Sequence, residues 1–123
     1  MLHIKPTHNS PEVIYDAFRC ELSICGMAYS ENPREFIVPV LSIIEDLPQT
    51  DEITLKFDFK YVNSAAIKNL LEVIRLLKKR NTEGTIKKFT LEWTYTSTDD
   101  DIIEIIQDIR NRLNVDIKEI ISE

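Results

Sequence analysis

Glycine is scarce in this chain: Gly26 and Gly84 are the two in 123 residues. They cannot supply a glycine-rich loop that cradles a nucleotide phosphate. Cysteine is equally sparse, with Cys20 and Cys25 five residues apart. On one strand an odd separation puts two side chains on opposite faces, so no bridge is expected. A zinc site would need ligand partners at short, regular spacing, and the sequence has none. The two histidines, His3 and His8, stand near the start without a nucleophile or acid at a useful spacing. No apolar run reaches membrane-spanning length, and the opening MLHIKPTHNSPE lacks the apolar core of a signal peptide. These two absences predict a cytoplasmic protein with no membrane partner. Positive charge is also in deficit. A net charge of −6 argues against general nucleic-acid binding, which calls for a basic surface. Carboxylates are plentiful, but no pair stands poised for acid–base work. Nothing here gives a positive reason to assign an enzyme, a metal or a cofactor.

What is present is the composition of a folded domain. With 43% hydrophobic and 29% charged residues, disorder is a poor description of the chain. The length suits one domain with one core, residues 1–123. Charge is unevenly spread. Lys68, Arg75, Lys78, Lys79 and Arg80 make one segment basic, and Asp99, Asp100, Asp101, Glu104 and Asp108 make another acidic. Solvated helix faces account for both.

From Glu52 to Tyr61, Ile53, Leu55, Phe57, Phe59 and Tyr61 alternate with polar residues, which predicts a strand with one apolar face. Phe89, Leu91, Trp93 and Tyr95 repeat the pattern. Between them, Ile67, Leu70, Leu71, Ile74 and Leu77 recur at helical spacing, predicting a helix over 65–80. Strand, helix, strand at this length is a right-handed parallel crossover. Ile102, Ile105, Ile106, Ile109 and Leu113 predict another helix after Thr98, with Thr98 and Asp101 resembling a capping box. Asp99 to Asp101 would then be helix-start acids; the sharper alternative is an acidic metal site.

A last strand is expected over 115–121, and a hairpin over 12–25. Asn32 to Leu47 reads as a helix that either kinks at Pro39 or starts again there. Because the two best strands each keep a polar face, the helices should all pack on one side. The expected fold is a two-layer α/β domain. Its mixed, five-stranded sheet has sequential order, the first pair antiparallel and the rest parallel.

One segment stands apart. Tyr61 to Lys68 crosses from strand end to helix start, and Ser64 falls where an N-cap is expected. A plain capping serine explains it. A phosphate there would also meet free N–H groups and the positive end of the helix dipole, with Lys68 in reach.

The chain resembles the SiaC family of regulatory phosphoproteins, which are similar to anti-sigma factor antagonists of the STAS type. The resemblance runs from about Ser10 to Val115. It is carried by Gly26 to Phe36 (GMAYSENPREF), by Tyr61 to Lys68, and by Leu91-Glu92-Trp93-Thr94-Tyr95 with the acidic run behind it. It implies a STAS-like fold and a phosphoacceptor hydroxyl at Ser64, after Asn63. Asn63 and Lys68 become candidate phosphate or partner contacts. Where the family often has serine, this chain has Ala65 and Ala66.

The resemblance further implies a partner switch. A serine/threonine kinase with a histidine-kinase-like ATPase fold adds the phosphate, and a metal-dependent protein phosphatase removes it. The unmodified form binds and activates a diguanylate cyclase, within cyclic di-GMP signalling and biofilm regulation. The alternatives are an anti-sigma factor antagonist in a transcriptional switch, a small enzyme using the aspartates, and a constitutive interaction domain in which Ser64 is only a cap.

Overall fold

Alternating burial sets the layers. The computed structural model of the protein describes residues 2–122. In chain order the elements are β1 Leu2–Ile4, β2 Glu12–Asp16, β3 Glu21–Ala28, α1 Arg34–Glu45, β4 Thr50–Val62, α2 Ser64–Thr82, β5 Ile86–Tyr95, α3 Asp100–Leu113 and β6 Lys118–Ile121. The strands form one sheet in the sequential order β1-β2-β3-β4-β5-β6. β1 to β3 pair antiparallel, and β3 to β6 pair parallel. The parallel half follows from the helical crossovers between its strands.

In β4, Ile53, Leu55, Phe57 and Phe59 are buried, while Thr54, Lys56, Asp58 and Lys60 face outward. The buried face joins the apolar stripes of all three helices in one core. At its centre Trp93 meets Phe57 edge-on at 4.9 Å and Phe59 at 5.9 Å. The opposite face is held by cross-strand ion pairs such as Lys56 with Glu21.

Several details differ from the sequence reading. The sheet has six strands because Leu2–Ile4 pairs with β2; three residues are too few to show alternation. One helix runs through Pro39 instead of starting again there. Proline removes one helical N–H, and burial of Phe36, Ile37, Val40 and Ile44 outweighs that loss. The last strand begins at Lys118; Val115 and Ile117 are buried in the segment before it. The cysteines do not share a strand: Cys20 lies in the β2–β3 turn with φ +53°, and Cys25 lies on β3. α3 is capped by Asp99, whose carboxylate accepts from Ile102 N–H at 3.1 Å, and not by Thr98.

Two cations of the basic segment, Lys78 and Arg80, serve the fold. Lys78 donates to the carbonyls of Leu113 and Asn114 at the end of α3, and Arg80 donates to Leu47 O at 2.9 Å. Cations at a helix C-terminus complement its dipole.

Candidate functional site

The site is built where β4 ends and α2 begins. Gly26 on β3 pairs with Phe59, but the next residue, Met27, pairs with Tyr61. Lys60 is therefore an extra residue on β4, a bulge opposite Gly26, whose φ is +109°. A bulge shifts side-chain alternation by one position. Phe59 is buried, and beyond the bulge Val62 takes the buried position. Tyr61, expected in the core, is instead 53% exposed, with its ring edge-on to Tyr29 at 5.7 Å.

Asn63, not Ser64, is the N-cap of α2. Its Oδ1 accepts from Ala66 N–H at 2.8 Å, and its Nδ2 donates to Ser30 O at 3.4 Å. Asn63 N–H donates to Ala28 O at 2.9 Å. The cap is thus tied to the segment that follows β3. Asn and Ser are both strong caps, so adjacent cap-type residues could not be told apart by residue type. Replacing Asn63 with alanine should cost about 1 kcal/mol, read by thermal melting. Asn63→Asp keeps the accepting oxygen and should retain most of that stability. Wild-type stability in Asn63→Ala would overturn the cap assignment.

Ser64 occupies the first helical position and is exposed. Among the described residues its hydroxyl has no hydrogen-bond partner. The first intrahelical bond is Ile67 N–H to Asn63 O at 3.0 Å, so the N–H groups of Ser64 and Ala65 lie ahead of it. Lys68 is exposed on α2 but lies outside the groove beside Ser64.

That groove has a volume of about 510 Å³ and runs between α2 and α3. Ser64 and Ile67 line it from α2. Ile105 and the carboxylates of Asp101, Glu104 and Asp108 line it from α3, and Tyr61 and Val62 close the β4 end. Asp108 is paired with Arg112 at 3.1 Å. Asp101 and Glu104 have no ion pair among the described residues. Asp101, Glu104 and Asp108 of the acidic segment are exposed, as a solvated helix face should be, and they also form one wall of the groove beside Ser64.

Among the described residues no group of three or more potential ligands is placed to hold a metal ion. Among the described residues no helix is long and apolar enough to cross a membrane. Cys25 is held as a thiol: burial, then the charges of Glu12 and Asp58, raise its pKa. A raised thiol pKa disfavours the thiolate, which is the reactive form.

The profile described as "SiaC family regulatory phosphoprotein" matches residues 4–121. The chain belongs to the SiaC family. One chain of the crystal structure of the diguanylate cyclase SiaD in complex with its activator SiaC, from Pseudomonas aeruginosa, superposes with a TM-score of 0.87. It is 23% identical, and the match covers 99% of this chain and 100% of that one. Apo-SiaC from the same organism superposes with a TM-score of 0.79 at 25% identity, over 99% of this chain and 98% of that one. An uncharacterized protein of Pseudomonas aeruginosa (strain UCBPP-PA14) is 26% identical over 111 residues, which is 89% of this chain and 86% of that protein. The two-layer α/β architecture expected from the sequence is that of the SiaC structures.

Proposed function

We propose that the chain is a cytoplasmic, non-enzymatic partner switch, acting as one domain and controlled by phosphorylation of Ser64. The observation that carries this is the setting of Ser64 in a family of regulatory phosphoproteins. Its hydroxyl is exposed, without a hydrogen bond among the described residues, and at the first turn of a 19-residue helix, on the rim of a groove. A phosphate there would accept from the leading N–H groups of α2 and lie at the positive end of its dipole. The fold would therefore accept the modification, and its effect would fall on whatever binds the groove.

In this reading a serine/threonine kinase with a histidine-kinase-like ATPase fold adds the phosphate, and a metal-dependent phosphatase removes it. The unmodified form binds and activates a diguanylate cyclase. The likeness to SiaC, whose crystal structure with SiaD is described as that of an activator with its cyclase, supports that effector class.

Incubation with the cognate kinase and ATP should add a single phosphate, mapped by mass spectrometry to Ser64. Phosphate found mainly on Thr54, Ser97 or Thr98 would overturn the assignment.

A further inference from the structure

The bulge at Lys60 has a cost and a product. It leaves one residue of β4 without a partner on β3, and it turns a large aromatic out of the core. That aromatic, Tyr61, is held by Tyr29 at the mouth of the groove, three residues before Ser64. Tyrosine is one of the residue types enriched among interface anchors. Beyond Tyr61 the groove is apolar along Ile67 and Ile105, and it is acidic along α3.

Asp101 belongs to the first turn of α3, where the helix dipole accounts for it. Glu104 lies beyond that turn, exposed, with no cation on it among the described residues. A segment that fills this groove must cover apolar surface at one end and answer unpaired carboxylates on one side.

We propose that Tyr61 is the anchor for a basic, apolar segment of the effector, which lies in the α2–α3 groove with its cations on Asp101 and Glu104. This deepens the switch reading and rests on it. The two parts of the surface have separate tasks. The carboxylates draw the cationic segment in and set its direction, which acts on the association rate and makes that rate fall with salt. Tyr61 and the apolar lining hold the segment once docked, which acts on dissociation. A phosphate on Ser64 would stand with its hydration shell against the apolar end, so it too would act on dissociation.

The test begins in the protein's own cells. The photocrosslinking residue p-benzoylphenylalanine replaces Tyr61, and in a control it replaces Phe89, which lies away from the groove. The crosslinked peptide is sequenced by mass spectrometry. The expected result is one effector segment of net positive charge with apolar residues, captured from position 61, absent from position 89, and lost when Ser64→Asp is added. That segment is then made as a synthetic peptide and its binding kinetics are measured. Asp101→Asn with Glu104→Gln should slow association and flatten its salt dependence, with circular dichroism unchanged. Tyr61→Ala should speed dissociation about tenfold or more, and Tyr61→Phe should restore most of the residence time.

No capture at position 61, capture of an acidic segment, or a wild-type association rate in the neutralised variant would each overturn the inference and leave the Ser64 switch standing. Capture that persists unchanged in Ser64→Asp would overturn the switch and leave the groove occupant standing.

Discussion

Ser64→Asp should lower effector affinity about a hundredfold while the far-UV circular dichroism spectrum stays that of the wild type. The size follows from desolvation. A charge buried against the apolar part of the docked segment, away from the cations on Asp101 and Glu104, costs several kcal/mol, and each 1.4 kcal/mol is about tenfold in affinity. The fold should be indifferent because the new carboxylate stands at the first position of α2, where helix ends favour negative charge. Ser64→Ala is the companion variant. It should bind as the unmodified protein does, lose regulation by the kinase, and melt close to the wild-type temperature, because Asn63 and not Ser64 holds the cap. Effector affinity and melting temperature measured on both variants decide the matter. Wild-type binding by Ser64→Asp, or loss of binding only through unfolding, would sink the surface-charge mechanism.

Trp93→Ala should be the most damaging single substitution in the core, costing about 3–5 kcal/mol by removing a fully buried indole. Set against a total stability of about 5–15 kcal/mol, that leaves a barely folded protein. The ring packs edge-on against both Phe57 and Phe59, so its loss opens a space that β4 and β5 cannot close without breaking their pairing. Trp93→Phe should be much milder for a second reason. The indole Nε1 is buried without a hydrogen-bond partner among the described residues, and phenylalanine removes that donor along with some volume. Urea unfolding of both variants gives the comparison. In the wild type, Trp93 is the sole tryptophan, and its native emission should be blue-shifted and poorly quenched by acrylamide. Freely quenched native emission would contradict the packing described for β5.

The layers of this fold were legible because they depend on periodicity. The alternation through Ile53 to Phe59 and through Leu91 to Tyr95 names a buried face without any knowledge of neighbours. Polar outer positions on both strands then forced the helices to one side, and sequential order followed from crossover handedness. β1 was not legible, since a three-residue strand is defined by its partner and not by its own pattern. The caps of α2 and α3 were each misplaced by one residue for a related reason. Asn63-Ser64 and Thr98-Asp99 pair cap-type residues side by side, and only the backbone turn decides which one accepts the N–H. At the candidate site, the motif points to Ser64, while the alternation of β4 places Tyr61 in the core. The signal that could have found it was present: two adjacent apolar residues, Tyr61 and Val62, end a strictly alternating strand. Its cause lies on another strand, opposite Gly26, which no local pattern contains.

That bulge also makes the placement of Tyr61 a matter of parity. From Ile53 to Phe59 the odd-numbered residues of β4 face the core; past Lys60 the even-numbered Val62 does. The side Tyr61 faces is therefore set by how many residues precede it in the strand, and not by what it is. A chain shortened by Lys60 alone would keep every apolar residue and every turn signal. Yet it would carry Tyr61 inward and Val62 outward, and present Asn63 and Ser64 to the start of α2 one step out of phase. Substitutions along β4 can be absorbed one at a time, whereas a change in count would be read by every residue after it.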